Sequence, residues 1–339
     1  MATLTRQRTA SSGPSAADVK RYAGKVDLTE VLVSDWHPLT DLTHVVTVDW
    51  PARHAFYTAT AHRHDLLFFT ESVRQALAVA SHLGIGVPQG YRMGWERLTC
   101  TASPEALATG PDPSVVELTI THDQVVRRKS GVFRLTAHVR ATRNGQPLGT
   151  ARVGYTAYPP ALYNRLRGAR ADARAAFARA LPPGPAVEPA LVGRTDAHDV
   201  TLTPDTSEVP HGRPRRWALR TDTTHPILFD HPHDHIPGMV LLEAVSQAAQ
   251  ADAAPRRIVP VELDTVFHRY VELDLPCAIV ADDAGFEEPG LESGPEPRLD
   301  RRRVSGIQDG QAVFTTLITS IVQDPAVPSA GRRLQATAG

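Results

Sequence analysis

Cysteine is scarce in this 339-residue chain, occurring only at Cys100 and Cys277. Two cysteines cannot build the framework of a disulfide-stapled secreted domain. Reduced thiols and a cytoplasmic location are expected instead. Lysine is confined to Lys20, Lys25 and Lys129, so arginine carries nearly all the positive charge. The net charge of −1 argues against a basic nucleic-acid binder, and none is expected as a partner. No run of 18 apolar residues occurs, so no membrane-spanning helix is expected. The G-x-G-x-x-G fingerprint, the P-loop, the G-x-S-x-G elbow and C-x-x-C are all missing. Dinucleotide redox chemistry, ATP use and α/β-hydrolase chemistry therefore lack support.

What is present is enough for packed cores: 42% hydrophobic and 22% charged residues. The length suits two domains of about 150 residues each. A weak internal repeat supports that division. Tyr57–Ala76 aligns without gaps on Phe229–Ala248, matching Glu71 with Glu243, Val73 with Val245, Gln75 with Gln247 and Ala76 with Ala248. A strand-like stretch precedes each copy, at Val45–Trp50 and Trp217–Thr221. The same offset matches Trp95 with Phe267 and Arg97 with Arg269. Each half closes on a hairpin signal, Asn144-Gly145 and Asp309-Gly310, because a two-residue turn needs positive φ at both central positions.

Each half thus reads as strand, turn, helix, then several antiparallel strands. The helix is apolar on nearly every side, through Leu66, Leu67, Phe68, Phe69, Val73, Leu77 and Val79 in the first copy. Such a helix must be wrapped by other structure. A curved antiparallel sheet around one central helix, built twice in tandem, is the expected α+β architecture. The expected boundaries are an unstructured leader at 1–24, a first unit at 25–160 and a helical then Pro-rich linker at 161–190. A second unit follows at 191–325, with an unstructured tail at 326–339. The acidic, Gly/Pro-rich stretch Asp282–Pro297 reads as a mobile loop.

The polar groups on the two helices stand out. Glu71, Arg74 and Gln75 share one helix face, and Glu243, Ser246 and Gln247 hold the matching positions. Glu71–Arg74 could be a structural ion pair. Recurrence of the glutamate without the arginine points instead to two proton-transfer groups whose pKa is raised by burial. Asp230-His231-Pro232-His233-Asp234-His235 invites a metal reading, a helix-capping reading with Asp65 as its counterpart, and a reading in which histidines beside the glutamate orient substrate or move protons. Gly238-Met239 opens the second helix with free N–H groups able to hold an oxyanion. Arg97 and Arg269 are candidate anion contacts, while Arg213–Arg216 and Arg301–Arg303 could dock an acidic carrier protein.

Phe229-Asp230-His231-Pro232-x-Asp234-His235-x-Pro237-Gly238-Met239-x-Leu241-Leu242-Glu243-Ala244 resembles the signature of the A-factor biosynthesis hotdog family. In the first half Glu30-Val31-x-x-x-Asp35-Trp36, His54-x-Phe56-Tyr57, His64-Asp65 and Glu71-Ser72-x-Arg74-Gln75-Ala76 agree with it. The resemblance covers roughly residues 25 to 325 and implies a double hotdog fold. The Pro-Gly-x-x-x-x-Glu core is also similar to hydroxyacyl-carrier-protein dehydratases.

The resemblance implies transfer of a β-ketoacyl chain from acyl carrier protein to a hydroxyl of dihydroxyacetone phosphate, on the way to a γ-butyrolactone or butenolide signal. Ring closure of the ester by intramolecular condensation can follow. The expected catalytic set is Glu71, Arg74, Glu243, His231 and His235. The expected substrate contacts are His64, Asp65, Gln75, Arg97, Asp234, Gly238, Met239, Ser246, Gln247 and Arg269. An acyl slot is expected between the helices and the sheet. No metal and no organic cofactor are required. The halves are expected to pair within the chain, with a homodimer as a further option. Ser246 departs from the family pattern, which has Arg there. A dehydratase or thioesterase on the same fold, and a non-catalytic acyl- or signal-binding protein, are the alternatives.

Overall fold

Strand-forming segments with one buried face outweigh helices among the described residues. The computed structural model describes residues 16–58, 62–205, 215–284 and 298–323. In the first half β1 (Val33–Pro38) and β2 (Thr43–Trp50) precede helix α2 (Leu66–Val79). Four long strands follow: β3 (Arg92–Ala102), β4 (Ser114–Arg127), β5 (Phe133–Arg143) and β6 (Gln146–Tyr158). The second half repeats this order with β7 (Leu202–Pro204), β8 (Arg215–Leu219), helix α5 (Gly238–Ala253), β9 (Arg257–Phe267), β10 (Cys277–Asp283), β11 (Leu299–Gln308) and β12 (Gln311–Gln323).

The twelve strands form one antiparallel sheet in the order β1-β2-β4-β5-β6-β3-β9-β12-β11-β10-β8-β7. The second half of that order mirrors the first, so an approximate two-fold axis passes between β3 and β9. Their register centres on Thr99 opposite Asp264. This is the expected double hotdog, with the halves joined edge to edge inside the chain. Joining them there removes two exposed strand edges that would otherwise invite aggregation.

Alternation sets which face is covered. Val116, Leu118 and Ile120 of β4 are buried while the residues between them are more exposed. Both hairpin turns form as expected, with φ of 50° and 78° at Asn144-Gly145 and 51° and 69° at Asp309-Gly310. Helices α2 and α5 lie in the core and touch each other. Every α2 residue is buried except Arg74. Past its first residue, every α5 residue is buried except Ser246, the matching position.

Three expectations are corrected. The helices align at an offset of 172, but the strands after them align at 165, as Asn144 with Asp309 and Gln146 with Gln311 show. The extra residues of the first half lie in a π-helical turn at Ala80–Gly84 and the loop leading to β3. Trp95 and Arg97 are therefore not the counterparts of Phe267 and Arg269; Arg97 lies in β3, whereas Arg269 follows the end of β9. The leader does not run unstructured to residue 24, because α1 (Ala16–Arg21) is helical and Val19 and Ala23 are fully buried. The acyl slot does not form along the α2 faces, where Leu66, Leu67, Phe68, Phe69 and Val73 are packed into the core. A groove of about 550 Å³ opens elsewhere, on the sheet, and its lining is polar, including Thr99, Thr119, His138 and Arg152.

Short helices α3 (Pro160–Arg167) and α4 (Ala173–Ala178) occupy the expected helical linker. Most of the Asp282–Pro297 stretch, residues 1–15 of the leader and the whole tail lie outside the described residues, as does part of Arg213–Arg216. Among the described residues no helix is long and apolar enough to cross a membrane.

Candidate functional site

Glu71 projects from α2 into a cage of donors. Arg74, one turn on, grips it with Nε at 2.7 Å and Nη2 at 2.8 Å. Gln75 Nε2 donates to it at 2.9 Å, and Lys25 Nζ stands 3.7 Å away. Burial alone would raise the Glu71 pKa. The Arg74 and Lys25 charges and the hydrogen bonds outweigh burial and hold it at about 2. The expectation of a raised pKa is thereby overturned: Glu71 is a fixed anion that orients Arg74. Arg74 keeps a quarter of its side chain exposed, and its Nη1 has no protein partner among the described residues.

Lys25 reaches the cage because Gly24 adopts φ +70° and turns the chain inward. A side chain at position 24 would also meet Arg74 Nη1 at 3.2 Å. Lys25 Nζ donates onward to the carbonyl of Ile227, in the other half, at 3.1 Å.

The second half rebuilds the cage with a different cation. Glu243 is gripped by Arg194, Nε at 2.9 Å and Nη2 at 2.6 Å, and by Gln247 Nε2 at 2.6 Å. Arg194 follows Gly193, at φ +76°, as Lys25 follows Gly24. Its Nη1 donates to the carbonyl of Phe56 in the first half at 2.7 Å, and its guanidinium lies 4.3 Å over the Phe56 ring. Only 6% of the Arg194 side chain is exposed, and 1% of Glu243.

Matching braces support both cages. Gln75 donates to the Glu30 carbonyl and accepts from Leu32 N–H, each at 2.8 Å. Gln247 does the same with Asp199 at 2.8 Å and Thr201 at 2.9 Å. His54 Nε2 lies 3.2 Å from Glu30, and His225 Nε2 lies 3.2 Å from Asp199. In each, Nδ1 accepts two backbone N–H groups of the following turn.

The turn before α5 brings imidazoles to the Glu71 cage. Asp230 Oδ2 accepts Val26 N–H at 2.8 Å, and its Oδ1 accepts His231 Nδ1 at 2.7 Å. Burial pushes the Asp230 pKa up, but the His231 and Val26 hydrogen bonds and Lys25 bring it below the usual carboxylate range. His233 packs on His231 with ring centroids 4.1 Å apart, and burial lowers its pKa to about 3. Arg74 is within electrostatic reach of both Asp230 and His233. Lys25, Arg74, Asp230, His231 and His233 thus meet where the first-half helix faces the second-half turn. A second dyad follows: His235 Nδ1 lies 2.9 Å from Asp234, which also accepts from Tyr163 at 2.6 Å and Arg167 at 3.3 Å.

Asp230, His231 and His233 offer ligand atoms within 4.8 Å of one another, as do His198, Asp199 and His225. Both Asp230 oxygens already accept N–H groups, and two cations stand beside them. The group fits a hydrogen-bonded dyad better than a cation site.

Other expected residues are placed differently. Gln75 and Gln247 spend their amides on the cages, because both bridge glutamate to backbone. His64 is buried, edge-on to Trp50, with Nδ1 2.8 Å from Thr58 Oγ1; burial lowers its pKa to about 4. Asp65 stands at the N-cap of α2 without a capping bond. Its carboxylate lies 3.5 Å from Arg194, and burial raises its pKa to about 7 against that cation. Arg97 pairs with Asp264 at 2.7 Å, mostly exposed on the joining strands. Arg269 is anchored by its backbone N–H to Val313. Met239 is buried, Ser246 is half-buried, and Gly238 begins α5 with ordinary contact to Phe267.

The residues that sequence reasoning missed are Lys25 and Arg194, with the His225 brace; Asp230 and His233 stand out in the histidine turn and His54 in the family motif, but sequence reasoning assigns none of the three a place in the site. A signal existed: Gly24-Lys25-x-Asp27-x-x-Glu30-Val31 recurs as Gly193-Arg194-x-Asp196-x-x-Asp199-Val200.

Comparison with known proteins agrees with this duplicated arrangement. The model of the A-factor biosynthesis hotdog domain matches residues 9–159 and 176–282. A 2-oxo-3-(phosphooxy)propyl 3-oxoalkanoate synthase from Streptomyces virginiae is 35% identical over 290 residues, covering 85% of this chain and 92% of that protein. Proteins of the same name from Streptomyces griseus (36%, 79% of this chain and 84% of that one) and Streptomyces coelicolor (35%, 84% and 85%) are similar. Among solved structures, an acyl-ACP thioesterase from Bacteroides thetaiotaomicron has a TM-score of 0.46 at 12% identity, covering 82% of this chain and 98% of that one. The family match runs through both helices, both glutamates and the histidine turn, and the chain belongs to the A-factor biosynthesis hotdog family.

Proposed function

We propose that the protein is an acyltransferase that moves a β-ketoacyl group from a thioester, carried by acyl carrier protein, to a hydroxyl of dihydroxyacetone phosphate. The product is a 2-oxo-3-(phosphooxy)propyl 3-oxoalkanoate, the ester named for the relatives, and it feeds synthesis of a γ-butyrolactone-type signal. The observation that carries this reading is the meeting of a partly exposed guanidinium, Arg74, and the enclosed Lys25 beside it with the Asp230–His231 dyad. The cations suit a phosphate and the dyad a hydroxyl to be deprotonated.

His231 is the general base. With Nδ1–H donated to Asp230, the tautomer leaves Nε2 free to accept the alcohol proton. The alkoxide oxygen bonds to the thioester carbonyl carbon. The resulting oxyanion is held by the N–H groups of Gly238 and Met239, which open α5 and have no intrahelical acceptor. Collapse breaks the C–S bond, and the thiolate takes back the proton, with His235 as a second imidazole held by its own carboxylate. Arg74 Nη1 and Lys25 Nζ hold the phosphate, and Glu71 keeps Arg74 aimed.

Pure protein incubated with a β-ketoacyl thioester and dihydroxyacetone phosphate should yield the phosphorylated ester by mass spectrometry. Thioester hydrolysis or dehydration independent of the acceptor would move the assignment to a thioesterase or dehydratase. Binding without turnover would leave a sensor.

A further inference from the structure

We infer that each chain runs a single active centre, composed across its two halves, and that the Glu243 centre is a structural replica of it. The inference rests on the reaction proposed above and concerns which of the two cages carries it.

The cages differ in the three features that chemistry needs. The first is an available cation. Arg74 shows a quarter of its side chain and has Nη1 unengaged by protein. Arg194 spends Nε and Nη2 on Glu243 and Nη1 on the Phe56 carbonyl, lies over the Phe56 ring, and is almost fully enclosed. Its second Nη2–H faces Asp65 at 3.5 Å, and with 6% of the side chain exposed the remaining Nη1–H is enclosed by protein.

The second is the helix position that opens outward. Arg74 and Ser246 occupy the same place on their helices, each the one interior position not buried. A guanidinium stands there in one half and a hydroxyl in the other. In the second half the carboxylate is held by Arg194, the counterpart of Lys25, whose side chain is enclosed and does not face outward.

The third is the imidazole base. The turn facing the Glu71 cage supplies Asp230, His231 and His233. The corresponding first-half stretch reads Thr58-Ala59-Thr60-Ala61, with no ionisable side chain. His64, the buried histidine just before α2, is tied to Thr58 and packed between Trp50 and Phe68, and His225 is spent bracing Asp199 and the turn that follows it.

Two equivalent centres would each contribute half the turnover, so inactivating one would leave about half. A single centre leaves almost nothing. His231→Asn and Arg74→Ala, assayed separately for ester formation with melting curves as a check on folding, should each fall below about 1% of wild type. His231→Gln repeats the test with a different isostere should the first variant fail to fold. Calorimetric titration of the intact wild type with dihydroxyacetone phosphate should read one site per chain. Residual turnover near half in a folded variant, or two sites per chain, overturns the single centre and leaves the reaction standing. A wild type that makes no ester brings down both.

Discussion

Lys25 and Arg194 are exchanged across the molecule: Lys25 donates to the Ile227 carbonyl of the second half, and Arg194 to the Phe56 carbonyl of the first. Each also faces the glutamate of its own half. The two cations therefore staple the halves together as well as neutralising buried carboxylates.

The staples are unequal in strength. Glu243 has no other cation as near as Arg194, whereas Glu71 keeps Arg74 if Lys25 is lost. Arg194→Met should destabilise the protein by about 3–5 kcal/mol, the usual cost of leaving one buried charge unpaired. Lys25→Met should cost clearly less. Urea unfolding of the two variants beside wild type measures the difference.

The low Glu71 pKa makes stability depend on acid. Its folded value of about 2 lies below its ordinary value of 4.5. Its contribution is complete above about pH 4.5 and is lost as the pH falls toward 2. Urea midpoints taken from pH 6 to pH 2.5 should decline more steeply for wild type than for Glu71→Gln. Parallel declines would show that Glu71 is not held as a buried anion.

Gly24 should be intolerant of a side chain for two reasons. Its positive φ penalises any L-residue by roughly 1–2 kcal/mol, and a β-carbon would press on Arg74 Nη1. Gly24→Ala should lower the melting temperature and raise KM for dihydroxyacetone phosphate more than it lowers kcat. Gly193→Ala, which meets only Gln250 and Arg257 atoms at ordinary distances, should lower stability without that KM effect.

Tyr163 and Arg167, on the linker helix, hold Asp234 and through it His235. Tyr163→Phe should reduce kcat several-fold with little change in KM, since the ring and its packing stay. Steady-state kinetics with the acceptor varied separates the two parameters.

The Asp230–His231–His233 cluster should carry no tightly bound metal. Elemental analysis of the purified protein should find far less than one equivalent of zinc, and a chelator should leave ester formation intact.

Much of this was legible in the chain before folding was considered. An apolar helix preceded by a histidine turn and followed by alternating strands has few ways to bury itself, and its duplication implied two such units. Asn144-Gly145 and Asp309-Gly310 set the hairpins because turn chemistry is local. The glutamates and histidines were visible for a similar reason: charged groups on an otherwise greasy helix demand partners. Arg74 and Gln75 were visible beside Glu71, one helical turn away, but the partners distant in the chain were not. Lys25 lies 46 residues before Glu71 and Arg194 lies 49 before Glu243. A matching offset of 172 along the helices hid the shift to 165 in the strands, so Arg97 and Arg269 were paired wrongly.

The sequence by itself determined the elements, the duplication and the list of ionisable groups, because propensity, alternation and turn geometry act over a few residues. Only the tertiary structure decided which cation meets which carboxylate and which turn faces which helix. It also decided that burial does not leave the Glu71 pKa raised, since Arg74 one turn on and Lys25, distant in the chain, together hold it at about 2. Coulombic and hydrogen-bond energies depend on distance in space, and folding sets that distance by packing the two halves against each other.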